Sequence, residues 1–185
     1  MEILKRIPLM ILSFAERCEL SFFKLAYRRG EFDREVDGPL HWAIQKEFTE
    51  AALYVIEEGE DTNRLDSNER SPLDLALEKD LFDVFKKLVE NQADVNFVGH
   101  NSVSLLHSAI EQNKDEYAEI LIENGANVNR VDPNSNLTAL HAAAYYGAAN
   151  IAEKLINNGA GIDAKTDHLE SPLHLASEER ASRNC

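Results

Sequence analysis

The chain has few of the features that mark secreted, membrane-spanning or metal-binding proteins. Its 185 residues include two cysteines, Cys18 and Cys185, too few for a disulfide framework, which favours a reducing intracellular compartment. No run approaches the roughly 18 apolar residues of a membrane-spanning helix, and the sequence has no Cys-x-x-Cys pair. We therefore expect a cytoplasmic protein without a cofactor and without direct membrane insertion.

Signals of catalysis are also lacking. The phosphate-binding phrase Gly-x-x-x-x-Gly-Lys does not occur, and neither cysteine belongs to a recognisable Cys/His nucleophile arrangement. Adjacent carboxylates such as Glu57-Glu58 and Glu178-Glu179 do not face each other on a helix. These absences predict that the chain is not an enzyme.

Basic residues are scarce outside the N-terminal region. Residues 1–35 carry a net charge of +1, whereas the remainder carries −15. A negative field of this size disfavours nucleic acid and anionic membranes as ligands and attracts a basic protein partner. The alternative is that the acidity only keeps the protein soluble.

Two phrases recur along the sequence at an almost constant spacing. The first has five copies, 33 or 34 residues apart, at residues 39–43, 72–76, 105–109, 139–143 and 172–176. The second has four copies, at residues 59–63, 92–96, 125–129 and 159–163. A fixed period of this length indicates stacked supersecondary units, each too small to bury its own apolar face.

Each unit carries the signals of two short helices and a turn. Ser71 or Thr138 can cap the first helix, and proline at its first position loses no needed donor. The second helix repeats apolar residues at helical spacing, as in Ala118, Leu121 and Ile122. Gly125 and Gly159 are expected to end it, because glycine adopts the left-handed conformation without steric cost.

In period and wording these units resemble the ankyrin repeat. The resemblance implies an all-α solenoid of helix-turn-helix units at residues 36–66, 67–99, 100–133 and 134–166. A partial fifth unit covers residues 167–180 and a tail covers residues 181–185. Residues 1–35 are expected to form an N-terminal helical cap or the tail of an upstream domain.

The ends of the array are irregular. Helices are expected near Ile3–Glu16 and Leu20–Arg29, the latter with Leu20, Phe23, Leu25 and Ala26 in the core. The fifth unit is expected to form a helix near Pro172–Glu179 and then to stop, leaving the fourth unit incompletely covered. This pattern favours a truncated product or a piece of a longer array.

Several glycines typical of the family are replaced. One replaced glycine lies in the turn five residues before the histidine position of each repeat, and looser or differently shaped turns are expected there. The residues at this position are Val36, Glu69, Ser102, Asn136 and Leu169. Between the two helices only Gly147 remains; Asp80 and Asn113 tolerate left-handed backbone, whereas Glu47 and Arg180 are expected to distort their turns. Because Asp74 replaces a histidine and Gln92 a glycine, the second and third units should be less stable than the fourth.

The resemblance also implies roles for particular residues. The histidines His41, His107, His141 and His174 would bond neighbouring backbone rather than bind metal, with Asp74 as an acceptor in the second unit. Partners would bind a concave face formed by turn tips and first helices. On that face we predict a partner site at Val103, Leu137, Tyr145, Tyr146, Glu111, Gln112, Glu78 and Lys79. The alternative is that Tyr145 packs on a neighbouring repeat.

Three interpretations of function remain. The chain is expected to be a protein-interaction module of an intracellular scaffold or trafficking protein, as a monomer or part of a larger chain. A second interpretation is an inhibitor or adaptor that binds a basic enzyme or transcription factor. In a third, Asn96 or Asn129 resembles an asparaginyl hydroxylase substrate. The wording of residues 71–130 is also similar to the arrays of rabankyrins, endosomal proteins with ankyrin repeats and a FYVE finger.

Overall fold

A computed structural model describes residues 20–30, 32, 37–98 and 103–183, with the backbone alone from residue 178 onward. This part of the chain contains ten α-helices and two isolated β-bridges. It divides into two compact units, separated between Asn91 and Gln92. The expected helix Ile3–Glu16, both cysteines, Val36 and Ser102 lie outside the described residues.

The first unit contains two helix pairs and one additional helix. Its helices are α1 (Leu20–Arg28), α2 (Pro39–Gln45), α3 (Thr49–Glu57), α4 (Pro72–Glu78) and α5 (Phe82–Glu90). The pair α2–α3 packs on the pair α4–α5, and α1 packs on α3. This arrangement has the helix-turn-helix architecture that the repeated phrases predict.

Helix α1 confirms the predicted second N-terminal helix but not all of its core. Phe23 and Ala26 are buried, and the Phe23 ring stacks on Trp42 with 5.7 Å between ring centroids. Leu25 was expected in the core, yet 44% of it is exposed. The error has a simple cause: α1 packs through the side that carries Phe23 and Ala26, and Leu25 projects from another side.

The second unit repeats the arrangement. Its helices are α6 (Leu105–Glu111), α7 (Asp115–Glu123), α8 (Ala139–Tyr146), α9 (Ala149–Asn157) and α10 (Pro172–Arg183). The pair α6–α7 packs on the pair α8–α9, and α10 packs on α8. Helix α8 is thus held between α6 and α10.

Local signals at the helix ends act as predicted. The Ser71 hydroxyl accepts the Asp74 backbone N–H at 3.1 Å, and the Thr138 hydroxyl accepts that of His141 at 3.4 Å. Gly125 and Gly159 follow the second helices with φ of 84° and 85°, the left-handed conformation expected of them.

The turns between paired helices keep one shape whether or not they contain glycine. Gly147 has φ of 73°, and Glu47 has φ of 55°. In both turns the next residue donates to the carbonyl five residues earlier, Ala148 to Ala143 and Phe48 to Ala43, each at 2.9 Å. The expected distortion at Glu47 is therefore wrong, because this bond and the packing of α3 on α2 hold the backbone in the left-handed region.

The turns before the first helix of each pair, which we call finger turns, behave in the same way. Glu69 and Leu169 are left-handed, with φ of 58° and 62°, and their turns close through matching bonds, Asp66 N–H to Arg70 O and Thr166 N–H to Glu170 O. The expected loosening is wrong for these two turns. The turn that contains Asn136 has one more residue and closes from Asp132 to Leu137 at 2.8 Å.

Helix α10 is longer than the sequence indicated. We predicted an end near Glu179 and a tail from residue 181, but the helix continues to Arg183. Arg180 stands where Gly147 ends α8, and it remains helical because a left-handed arginine costs about 1–2 kcal/mol. At Glu47 the packing of α3 offsets that cost, and the described residues after Arg180 contain no corresponding helix.

Replacing Glu47 with glycine should stabilise the first unit. The change removes the unfavourable left-handed conformation of a residue with a Cβ atom, and we expect the free energy of unfolding to rise by up to about 1 kcal/mol. Urea denaturation followed by circular dichroism measures the effect. Glu47→Ala is the matched control and should not gain stability. A glycine variant no more stable than the alanine variant would show that the left-handed backbone of Glu47 is not strained.

Candidate functional site

A buried histidine joins α6 to the turn before α8. His107 Nε2 lies 3.1 Å from the Leu137 carbonyl, which also accepts the Asp132 N–H, and Nδ1 lies 2.7 Å from the Ser104 hydroxyl. A carbonyl only accepts, so Nε2 carries the hydrogen and Ser104 donates to Nδ1 of a neutral ring. Burial lowers the pKa of His107, which also favours the neutral form.

The same geometry recurs one repeat later. His141 Nε2 lies 3.3 Å from the Glu170 carbonyl, and its Nδ1 lies 2.8 Å from the Thr138 hydroxyl. The predicted bonding of histidine to neighbouring backbone is thus confirmed for His107 and His141. At the equivalent position Asp74 has its pKa raised by burial, and its role as an acceptor stays a prediction.

Asp132 organises the turn that carries Leu137. Its carboxylate accepts the backbone N–H groups of Asn134 and Ser135, at 3.1 and 3.2 Å, and the Ser135 hydroxyl. Burial raises the pKa of Asp132, but these hydrogen bonds outweigh it and hold the pKa below its usual value. Sequence reasoning missed this residue, although Asp-x-Asn is a common signal of an Asx turn.

Two tyrosines stand at the C-terminal end of α8. Half of Tyr145 is exposed, and its ring meets that of Tyr146 edge to face, with 5.1 Å between centroids. Burial raises the pKa of Tyr146, and the negative charge of Glu111 adds to that rise.

Glu111 is an exposed carboxylate at the C-terminal end of α6. Burial raises its pKa, and the charge of Asp132 raises it further. Within residues 20–98 and 103–183, as far as they are described, no basic side chain forms an ion pair with it. We use the name tyrosine patch for four residues of the predicted partner site, Glu111, Leu137, Tyr145 and Tyr146.

The structure divides the predicted partner site. The tyrosine patch lies in the second unit, with Val103 before the N-terminus of α6 and Gln112 just after its C-terminus. Glu78 and Lys79 lie in the first unit and belong to an ion network there. Arg70 Nη1 is 3.3 Å from Glu78, and Lys79 Nζ is 3.6 Å from it.

Asn96 and Asn129, which end two copies of the second repeated phrase, have hydrogen-bond partners at both the nitrogen and the oxygen of their side-chain amides. Asn129 donates to the Gly159 carbonyl and accepts the Gly161 N–H, both at 2.9 Å. Asn96 donates to the Gly125 carbonyl at 3.2 Å and accepts the Asn127 N–H at 2.8 Å. These hydrogen bonds join one copy of the second phrase to the next copy within the second unit.

Comparison with known protein families identifies the class to which the repeats belong. A family model described as ankyrin repeats (3 copies) matches residues 9–99 and 40–132, and a second, described as ankyrin repeats (many copies), matches residues 121–176. The chain therefore belongs to the ankyrin-repeat family, whose repeats generally act as non-enzymatic protein–protein interaction modules. No individual curated protein matches the sequence.

No described helix is long and apolar enough to cross a lipid bilayer. Among the same residues, no group of three or more His, Cys, Asp or Glu side chains is arranged to hold a metal ion.

Proposed function

We propose that this chain is a non-enzymatic module that binds a partner protein through the tyrosine patch. The observation that carries the proposal is the half-exposed Tyr145 beside Tyr146 on a helix that is packed on both sides. Tyrosine supplies a large, rigid contact surface at low entropic cost and is enriched among the residues that dominate binding energy.

The surroundings of the tyrosines favour a contact site over a solvated surface. Leu137 adds a partly exposed apolar side chain from the neighbouring turn, and Glu111 and Gln112 provide a polar rim. Apolar surface enclosed by polar groups is typical of interaction sites. The bond from His107 to the Leu137 carbonyl fixes this turn beside α6, so the surface is preorganised and a partner does not have to order it.

Affinity capture from cell lysate tests the proposal. Wild type is compared with the double variant Tyr145→Ala, Tyr146→Ala, and circular dichroism establishes that both are folded. We expect captured partners to be reduced at least tenfold with the double variant, because truncating interface tyrosines commonly costs more than 1 kcal/mol each.

The matched control is Ile162→Ala, which removes exposed apolar surface elsewhere in the second unit. It should capture the same partners as wild type. Retention of every partner by the folded double variant would contradict the proposal.

As a second candidate function, the chain is an inhibitor or adaptor that binds a basic enzyme or transcription factor through its acidic surface. The exposed carboxylate of Glu111, whose pKa is raised by burial and by the negative charge of Asp132, supports this alternative. A complex held by such charges should dissociate as ionic strength rises, because salt screens exposed charges beyond about 10 Å at 0.1 M. Affinity capture at 50 mM and 500 mM salt distinguishes such a complex from one that is held mainly by apolar contacts.

We also propose that the module works within an intracellular scaffold or trafficking protein associated with endosomes. The support is the wording of residues 71–130, which is similar to the rabankyrin arrays. Imaging of the tagged chain with an early-endosome marker tests this setting, and a uniform distribution in cells that contain the captured partner would count against it.

A further inference from the structure

We infer that Asn158 is a modification site, at which the chain exchanges the side-chain amide for a carboxylate by spontaneous deamidation. The same Asn-Gly sequence occurs one repeat earlier, at Asn124, where the neighbouring helix pair protects it. The chain thus contains a reactive site and its own matched comparison. Neither asparagine belongs to the tyrosine patch, so the modification is independent of the proposed function.

The sequence at both sites favours the reaction. Each asparagine is followed by glycine, which has no side chain to obstruct attack by its own backbone nitrogen. That nitrogen gives up its proton to solvent and bonds to Cγ of the asparagine, and ammonia leaves, so that a succinimide ring results. Water then opens the ring at either carbonyl carbon and yields aspartate or isoaspartate. The overall change consumes one water and releases one ammonia.

The folded helix ends oppose ring closure in the same way at the two sites. Asn124 follows α7 with ψ of 21°, and Asn158 follows α9 with ψ of 16°, values of helical backbone that direct the glycine nitrogen away from Cγ. Each side-chain amide donates to the carbonyl four residues earlier, at 2.8 Å in both cases. Each glycine N–H donates to the carbonyl three residues earlier, at 3.2 and 3.0 Å. The last turn of the helix must therefore open before either site reacts.

The two helix ends differ in how well they are covered. Ile122, near the end of α7, is 3% exposed, and α9 packs on α7. Ile156, at the corresponding position of α9, is 48% exposed. Opening the last turn of α7 newly exposes a buried isoleucine to water, whereas the isoleucine of α9 is already half exposed. The end of α9 therefore opens more often, and Asn158 reaches the reactive conformation more often than Asn124.

Modification at Asn158 changes the turn that follows α9. In the isoaspartyl product the main chain passes through Cγ, which lengthens the link to Gly159 by one carbon atom. The Gly159 carbonyl accepts from the Asn129 side chain and the Gly161 N–H donates to it, both at 2.9 Å, so the longer link displaces both bonds. Both products also place a negative charge at a helix C-terminus, which the helix dipole disfavours. The modified turn is therefore less stable.

Peptide mapping of the full chain after storage tests the inference. The folded protein is kept at mildly alkaline pH and then digested with trypsin, which places Asn124 in the peptide 115–130 and Asn158 in the peptide 155–165. Mass spectrometry with fragmentation assigns each exchange of amide for carboxylate to its residue. We expect modification at Asn158 to be at least threefold faster than at Asn124.

Protein unfolded in urea is the control for the intrinsic rates. Both sites should then react at similar rates, because each has the sequence Asn-Gly-Ala. The variant Asn158→Gln should remove the change from the peptide 155–165, which excludes a contribution of Asn157. Equal rates at the two sites of the folded protein, or persistence of the change in the variant, would overturn the inference. So would a folded Asn158 that stays intact while the unfolded protein reacts to completion.

Discussion

Leu140→Ala should lower the free energy of unfolding of the second unit by about 2–5 kcal/mol, whereas Leu173→Ala should change it by less than about 0.5 kcal/mol. The two leucines occupy the same position of the repeated phrase, each directly before a histidine. Leu140 is 3% exposed and Leu173 is 77% exposed. The difference in stability therefore measures what the next repeat contributes by covering this position.

The packing of the second unit explains the contrast. Helix α10 packs on α8, the helix in which Leu140 is buried. The described residues place no further helix over Leu173, and Ile156 of α9 is correspondingly exposed, although its counterpart Ile122 in α7 is buried. Denaturant unfolding of both variants, followed by circular dichroism, checks the prediction. Similar losses for the two variants would show that Leu173 is covered in solution.

Acidification from pH 7.5 to pH 6 should destabilise the second unit through His107. Burial lowers the pKa of this histidine, so the unfolded chain binds a proton at a higher pH than the folded chain does. Stability is therefore fully present above the ordinary histidine pKa of about 6.5 and is lost as the pH falls below it. The slope approaches about 1.4 kcal/mol per pH unit for one such group.

The charges around His107 do not reverse this sign. Asp132 raises the pKa of His107 and Arg130 lowers it, but burial is the largest effect. The depressed pKa of Asp132 places its own contribution at lower pH, because that contribution is lost only as the carboxylate protonates. Between pH 7.5 and pH 6 the buried histidine therefore governs the expected slope.

Matched variants separate the effect of His107 from the overall charge. His107→Gln should cost about 1–3 kcal/mol at pH 7.5, because hydrogen bonds to Ser104 and to the Leu137 carbonyl are lost or weakened. It should also flatten the pH dependence. His168→Gln alters an exposed histidine and should keep the wild-type slope. An unchanged slope in His107→Gln would show that His107 does not titrate as argued.

Much of the fold follows from local signals in the sequence. The phrase that begins at Pro72 contains the cap at Ser71, proline at the first helical position and apolar residues at helical spacing, and α4 begins where these signals indicate. Gly125 and Gly159 are left-handed because glycine alone adopts that region without strain. Such features could be predicted because each depends on a few adjacent residues.

The errors arise where packing outweighs local preference. Glu47 holds a left-handed turn because α3 packs on α2, whereas Arg180 continues its helix, and the sequence alone did not separate these outcomes. Leu25 has the composition of a core residue, but the side of α1 that is buried depends on the position of α3. These outcomes are decided by contacts between elements distant in sequence.

The candidate site could be predicted only in part. Tyr145 and Tyr146 stood out because they occupy positions that are polar in the neighbouring units. Asp132 was missed, and the ion network of Arg70 with Glu78 became visible only once the turn and the helix end were brought together.

Site-specific photo-crosslinking tests the central claim most directly. Benzoylphenylalanine is placed at position 145 in one variant and, as the control, at the exposed position 162 in another, and each folded protein is irradiated with the captured partner. The tyrosine patch as partner site predicts an abundant crosslink from position 145 and little or none from position 162. A partner that crosslinks from position 162 but not from position 145 would contradict it.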